Sequence, residues 1–221
     1  MERVAGGVLW DLDGTLVDSA GYHWQAWRDT LAAEGRAVAP EDFANAFGMR
    51  NDEILRGLYG EALAPAWIER VSETKEESYR RLLREQGLTA LPGALSWLRR
   101  LRESGFRQAL ASSAPRPNID AVLAILELGT YLDAVVSADD VGRGKPDPAI
   151  FLAAAERLGL PPARCVVVED APAGLEAARR AGMRSIGVLS DHHAQLVADL
   201  VVPSLEAVPA DAFEALLRQA P

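Results

Sequence analysis

The sequence predicts an α/β fold: a parallel sheet flanked by helices, with an all-helical segment inserted after the first strand. Two observations carry this. From about residue 88 onward, short apolar strand-like runs alternate with helix-like runs, the pattern of parallel strands joined by right-handed crossovers. Residues 20–87 break that alternation and read as helical throughout. The expected division is therefore a core of residues 1–19 and 88–221 and a separate small helical domain of residues 20–87.

Each element has its own signal. Val4 to Trp10 is short, β-rich and nearly uncharged, as a strand buried on both faces should be. In the insert, Trp24, Trp27 and Leu31 share one helical face, Ile54, Leu55 and Leu58 a second, and Tyr79, Leu82 and Leu83 a third. Beyond it, Phe106–Ala111 reads as a strand and Asn118–Leu128 as a helix. Asp133–Ser137 reads as a short strand, and Pro148–Leu158 as a helix opened by proline and stopped by Gly159. Cys165–Val168 is a strand, Ala173–Ala181 a helix ending at Gly182, and Arg184–Leu189 a strand. Val201–Val202 adds a last strand, and Asp211–Gln219 a closing helix.

Composition narrows the function. The chain has 221 residues, enough to bury a substantial core, and 49% are apolar, as in an ordinary globular protein. Its 23 basic and 32 acidic residues give a net charge of −9, which argues against nucleic acid or an anionic membrane as partner. An anionic substrate would have to be met by local cations and metal. The single cysteine, Cys165, lies in an apolar run and cannot form an internal disulfide. With no signal-peptide pattern, and no apolar stretch near the roughly 18 residues of a membrane span, this predicts a cytoplasmic protein. A monomer is the default expectation.

Four elements carry chemistry. In the first, the run Val8-Leu9-Trp10 ends in Asp11, Leu12, Asp13, Gly14 and Thr15. Two carboxylates then sit where a buried strand opens into a loop, the edge at which α/β sheets bind ligands. Burying them together is unfavourable without a cation or a shared proton, so the pair predicts a Mg²⁺ site, an acid/base pair, or both. The alternative, a pair of solvated loop carboxylates, loses ground because three further elements follow in order. Ser112 and Ser113 close the Phe106 strand, where a hydroxyl and backbone N–H groups suit a phosphate oxygen; an ST-turn is the alternative. Lys145 lies in the constrained loop Gly142-Arg143-Gly144-Lys145-Pro146-Asp147-Pro148, placed to neutralise charge between a carboxylate and a phosphoryl group. Finally, Val166-Val167-Val168 ends in Glu169 and Asp170, bringing four acidic residues to one sheet edge. Hard oxygen ligands of this kind suit Mg²⁺ and metal-assisted phosphoryl transfer.

These elements, in this order, resemble the haloacid dehalogenase superfamily over essentially the whole chain. The resemblance implies a Rossmann-like core and a helical cap inserted after the first strand. It implies that Asp11 attacks phosphorus and becomes an aspartyl phosphate, while Asp13 protonates the leaving oxygen and then activates water. It assigns Mg²⁺ to the carboxylates of Asp11 and Asp170 and the carbonyl of Asp13, with Glu169 a direct or water-mediated ligand. Ser112 and Lys145 would bind the transferred phosphoryl. Dehalogenating relatives lack an aspartate at the place of Asp13, so its presence favours phosphate chemistry.

Within the superfamily the chain is similar to the beta-phosphoglucomutase-like branch, which includes sugar-phosphate phosphatases. On that similarity His23, close to the mouth of the core and the substrate, matches a histidine that hydrogen-bonds the general acid/base in the mutase, Lys75 in the cap faces substrate, Arg50 meets its non-reacting part, and Arg116 stands near a position that holds a second phosphate in the mutase. The competing readings are a surface histidine for His23 and an i, i+4 partner of glutamates for Lys75. His192 and His193 read as solvated, and Trp67 and Trp97 as core. The expected activity is Mg²⁺-dependent hydrolysis of a small phosphorylated metabolite, a sugar or polyol phosphate. The alternative is a beta-phosphoglucomutase, and Pro115-Arg116-Pro117 departs from the mutase pattern. A phospho-accepting receiver domain is a poorer fit, since it would have no helical insert.

Overall fold

The computed structural model describes residues 5–190 and 195–218. In chain order, β1 (Gly7–Trp10) is followed by α1 (Ala20–Ala33), α2 (Pro40–Ala46), α3 (Asn51–Tyr59) and α4 (Pro65–Gln86). Then come α5 (Ala94–Glu103), β2 (Arg107–Ala111), α6 (Arg116–Leu126), β3 (Ala134–Val136) and α7 (Ala149–Leu158). The chain continues through β4 (Cys165–Glu169), α8 (Pro172–Arg180), β5 (Arg184–Val188), β6 (Leu200–Val202) and α9 (Ala212–Arg218).

The strands pair in parallel in the order β3-β2-β1-β4-β5-β6. β1 and β4 lie at the centre, and every residue of both is buried, which is why both read as unbroken apolar runs. Side chains alternate between faces. Val8, Trp10, Val166 and Val168 pack with Leu98, Ile119 and Phe213 on one face, while Leu9 and Val167 pack with Phe151, Ala154 and Ala178 on the other. The buried Gln108 is fully used: Oε1 accepts from Trp10 Nε1 at 3.0 Å, and Nε2 donates to the Leu98 carbonyl at 2.8 Å. After β1 the sheet grows one way through β2 and β3, then the other way from β4. That reversal opens a crevice at the carboxyl ends of β1 and β4.

The helices α1 to α4 fill the sequence between β1 and α5. Trp27, Leu31, Phe43, Ile54, Leu55, Ile68 and Val71 form a hydrophobic cluster of their own. Further along α4, Tyr79, Leu82 and Leu83 join the core packed on the sheet, so one long helix serves both clusters.

Some elements differ from the sequence expectation. The amphipathic helix α5 was not among the predicted elements; its buried residues are Ala94, Trp97, Leu98 and Leu101. Trp97 is core as predicted, and its indole N–H reaches the Leu205 carbonyl at 2.8 Å. Trp67 is only half-buried and donates to Glu34 at 2.9 Å. Helix α6 begins two residues before the predicted Asn118, because Pro117 occupies the first turn, where its missing N–H costs nothing. It ends at Leu126 because Glu127 turns left-handed, with φ 54°. The predicted positions Val4, His192, His193 and Gln219 lie outside the described residues. No helix among the described residues is long and apolar enough to cross a membrane.

Candidate active site

Strand register builds the site. Trp10 pairs with Val168 on one side and with Leu110 on the other. The residues leaving the sheet next are therefore Asp11 beside Glu169, with Ala111 and Ser112 across from them. The Asp11 N–H still bonds the Val168 carbonyl at 3.0 Å, which holds the nucleophile candidate at the strand end. Gly14, at φ 89°, turns the chain sharply after Asp13, and its N–H donates to Val17 at 2.9 Å.

The first group is acidic and buried. Asp11, Glu169 and Asp170 offer carboxylate oxygens within 4.8 Å of one another. Lys145 Nζ sits among them, 2.5 Å from Asp11 Oδ1 and 2.7 Å from Glu169 Oε1, in a loop whose Lys145–Pro146 peptide is cis. Burial alone would depress the lysine, but Asp11 and Glu169 outweigh it and push its pKa up. Burial raises Asp11 well above the usual carboxylate range, Glu169 and Asp170 add to the effect, and Lys145 opposes it. Burial and the Glu169 charge carry Asp170 to about 7. One ammonium against three carboxylates leaves excess negative charge in a desolvated place.

The donor set fits a hard divalent cation. Asp170 Oδ1 accepts from the Thr15 hydroxyl at 3.2 Å, but Oδ2 is buried without a hydrogen-bond partner among the described residues. Both Glu169 oxygens are occupied: Oε1 by Lys145, and Oε2 by the Ala171 N–H at 2.7 Å. Glu169 thus already accepts at both oxygens, whereas Asp170 Oδ2 does not among the described residues. Gly174, in the first turn of α8, makes room for Glu169; a Cβ there would lie 1.8 Å from Glu169 Oε1. Gly174→Ala is accordingly expected to lower activity by about tenfold or more, even though alanine favours a helix by about 1 kcal/mol. Steady-state assays beside thermal melts check it; unchanged activity would show that Glu169 moves without consequence.

The second group surrounds Asp13, which is partly exposed. Ser19 Oγ donates to Asp13 Oδ1 at 2.5 Å, and His23 Nε2 lies 3.3 Å from the same oxygen. The His23 ring stacks on Tyr79 at 3.9 Å, and its Nδ1 faces Lys75 Nζ at 2.8 Å. Burial pushes Asp13 up, but the hydrogen bonds from His23 and Ser19 and the Lys75 charge outweigh it, holding the pKa below the usual range. Two carboxylates two residues apart are thereby driven in opposite directions.

Between the groups lies a small cavity of about 40 Å³, lined by Asp11, Asp13, His23, Lys75, Ser112 and Ser113 among others. The Ser112 hydroxyl accepts the Ala114 N–H at 3.1 Å, so the ST-turn is present and that N–H is not free for a ligand. Ser113 Oγ is buried without a hydrogen-bond partner among the described residues. Lys75 is buried, not a surface partner of glutamates one turn away. The structure does not bring Arg50 or Arg116 to this pocket. Arg50 Nη1 donates to the Ala138 and Val141 carbonyls at 3.2 and 3.1 Å, and its Nε to Asp52 at 3.4 Å. Arg116 is exposed and pairs with Asp120 on its own helix at 2.7 Å.

Residues 6–182 match the haloacid dehalogenase-like hydrolase family. This chain belongs to that family. Among curated relatives, hexitol phosphatase A of Escherichia coli K12 is 35% identical over 204 residues, covering 91% of this chain and 92% of that protein. Protein CbbY of Rhodobacter capsulatus is 31% identical over 221 residues, covering 95% and 97%. Among solved structures, beta-phosphoglucomutase from Clostridium difficile superposes with a TM-score of 0.85 at 28% identity, covering 96% of this chain and 97% of that one.

In this hydrolase several pocket residues were not among the expected site residues: Asn51, Phe43, Phe47, Met49, Ile54 and Glu76 line the cavity from the insert. Glu76 had a readable signal. With Ile68, Val71, Lys75 and Tyr79 it lies on the buried stripe of α4, where a charged pair is unusual.

Proposed function

We propose that this hydrolase is a Mg²⁺-dependent phosphatase that acts on a small phosphorylated sugar or polyol through an aspartyl phosphate on Asp11. The observation that carries the reading is Asp11 paired with Lys145 at 2.5 Å while Asp13, in the same pocket, answers to Ser19 and His23 instead. A nucleophile beside a fixed cation and a separate proton carrier are what phosphoryl transfer in two steps requires.

Asp11 attacks phosphorus, and the bond to the leaving oxygen breaks as Asp13 delivers its proton there. A water then loses a proton to Asp13 and attacks phosphorus, releasing phosphate and restoring Asp11. Asp13 rests as a carboxylate; an arriving phosphate is a like charge, so the proton it delivers is taken up with substrate. Lys145, Ser112 and Ser113 hold the phosphoryl oxygens. Bound Mg²⁺, held by Asp11, Asp170 and the Asp13 carbonyl with Glu169 a direct or water-mediated ligand, would supply positive charge to those oxygens. The helical insert acts as a cap that excludes bulk water during the first step.

The mutase alternative needs a second phosphate site. Arg50 is bound to core carbonyls, Arg116 to Asp120, and Lys75 to Glu76 and His23, which supports hydrolysis over transfer back to sugar. The test is phosphate release from a panel of phosphorylated metabolites with and without Mg²⁺, including β-glucose 1-phosphate with a trace of glucose 1,6-bisphosphate. Mg²⁺-dependent release from sugar or polyol phosphates is expected; conversion to glucose 6-phosphate with little free phosphate would make the enzyme a mutase.

The cation should also register in stability. At about 100 times its Kd, Mg²⁺ adds about 2.7 kcal/mol, or about 5–10 °C in Tm for a chain of this size. The sign with pH follows from Asp170, raised to about 7 in the fold. Without metal, the native state holds a proton that the unfolded chain loses near pH 4, so stability is lost as pH rises towards 7. The cation must displace that proton at low pH, so its Tm gain should be larger at pH 7.5 than at pH 5. Asp170→Asn should abolish most of the gain, and a gain independent of pH would contradict the assignment.

A further inference from the structure

Glu76 is a buried carboxylate for which the chemistry above has no use. It lies on α4 beside Lys75 and is 5% exposed. Its two oxygens reach in different directions. Oε1 accepts from Lys75 Nζ at 2.9 Å and from Asn51 Nδ2 at 2.7 Å, both within the helical insert. Oε2 accepts from Asn118 Nδ2 at 2.5 Å, in the first turn of α6 on the sheet side of the pocket. Asn118 is itself held by Arg80, whose Nη1 donates to Oδ1 at 2.8 Å. One carboxylate therefore ties the insert to the core and orients the lysine behind His23.

We propose that Glu76 is a positioning residue that acts on Asp13 through Lys75 and His23; this rests on the phosphatase reading. An ammonium has no lone pair, so the 2.8 Å contact between Lys75 Nζ and His23 makes Nδ1 the acceptor. The neutral imidazole then carries its hydrogen on Nε2, which faces Asp13 Oδ1 at 3.3 Å. Without the Glu76 carboxylate, Lys75 is a buried ammonium with no ion-pair partner among the described residues and must leave or lose its charge. His23 is then free to take the other tautomer, which offers Asp13 no hydrogen. Asn118 adds the second half: its bond to Glu76 forms only with the insert seated on α6, so the aligned state of Asp13 is tied to closure.

The consequence is selective. 4-Nitrophenolate is a good leaving group that needs no proton from Asp13, whereas hydrolysis of the aspartyl phosphate needs Asp13 as base. Glu76→Gln should leave single-turnover release of 4-nitrophenolate from 4-nitrophenyl phosphate, enzyme in excess, within about threefold of wild type. Steady-state phosphate release should fall by about tenfold or more. A merely structural residue would slow both steps together; that result, or an unchanged steady state, overturns the proposal. Should Glu76→Gln fail to fold in a thermal melt, the substitution is made in a Lys75→Met background, where no lone ammonium is left. There it should cost less than about twofold relative to Lys75→Met alone, and a larger cost overturns the proposal. A wild-type enzyme that releases no phosphate counts against the phosphatase reading. A wild type that turns over while Glu76→Gln is unaffected counts against Glu76 alone.

Discussion

Asp11→Asn is expected to lower phosphate release by at least about 10⁴-fold while the fold is retained. Asparagine keeps the shape but cannot attack phosphorus, so no aspartyl phosphate forms. The fold should survive because the substitution removes one of three crowded carboxylates, and because Lys145 keeps Glu169 as a partner at 2.7 Å. Burial and the charges of Glu169 and Asp170 already work against an ionised Asp11, so a neutral side chain relieves that repulsion. The metal-free variant should therefore melt no lower than the metal-free wild type. Labelled phosphate should not become attached to the variant, and activity within about tenfold of wild type would end the nucleophile assignment.

The parts of this fold legible in sequence are those where one physical demand dominates. β1 and β4 are buried on both faces and so read as unbroken apolar runs, and the carboxylates at their ends stand out against them. What the sequence does not carry is register. Only the pairing of Trp10 with Val168 places Asp11 beside Glu169 and lets Lys145 reach both. Long cations were the hardest to read. Arg50 and Arg116 differ little as sequence signals, yet one finds two backbone carbonyls of the core and the other finds Asp120 one turn along its helix. Such choices depend on which acceptors the tertiary fold brings near. Lys75 was readable in part, since four residues after Val71 and four before Tyr79 it falls on the buried stripe of α4. Its partner Glu76 falls on the same stripe, but what satisfies it does not read from sequence, because the asparagines that bond it come from α3 and α6.

Asp13→Asn should lower turnover by about 10²- to 10⁴-fold, the usual range for a general acid or base. Unlike the loss of Asp11, this loss should depend on the leaving group. The asparagine oxygen can still accept from Ser19 and His23, and the backbone carbonyl is unchanged, so the pocket keeps its shape. What disappears is a group that carries a proton. An alkyl phosphate must expel an alkoxide, so its first step should stall. 4-Nitrophenyl phosphate expels a stable anion, so its first step should proceed and the aspartyl phosphate should accumulate for want of a base. The variant should then release about one equivalent of 4-nitrophenolate per enzyme and little phosphate, and acid quench should recover the phosphorylated protein. Asp13→Asn and Glu76→Gln should share this pattern, with the larger loss in Asp13→Asn, because one removes the proton carrier and the other only its alignment. Near-normal turnover of an alkyl phosphate by Asp13→Asn would remove Asp13 from proton transfer, and would leave His23, 3.3 Å away, as the group to test next.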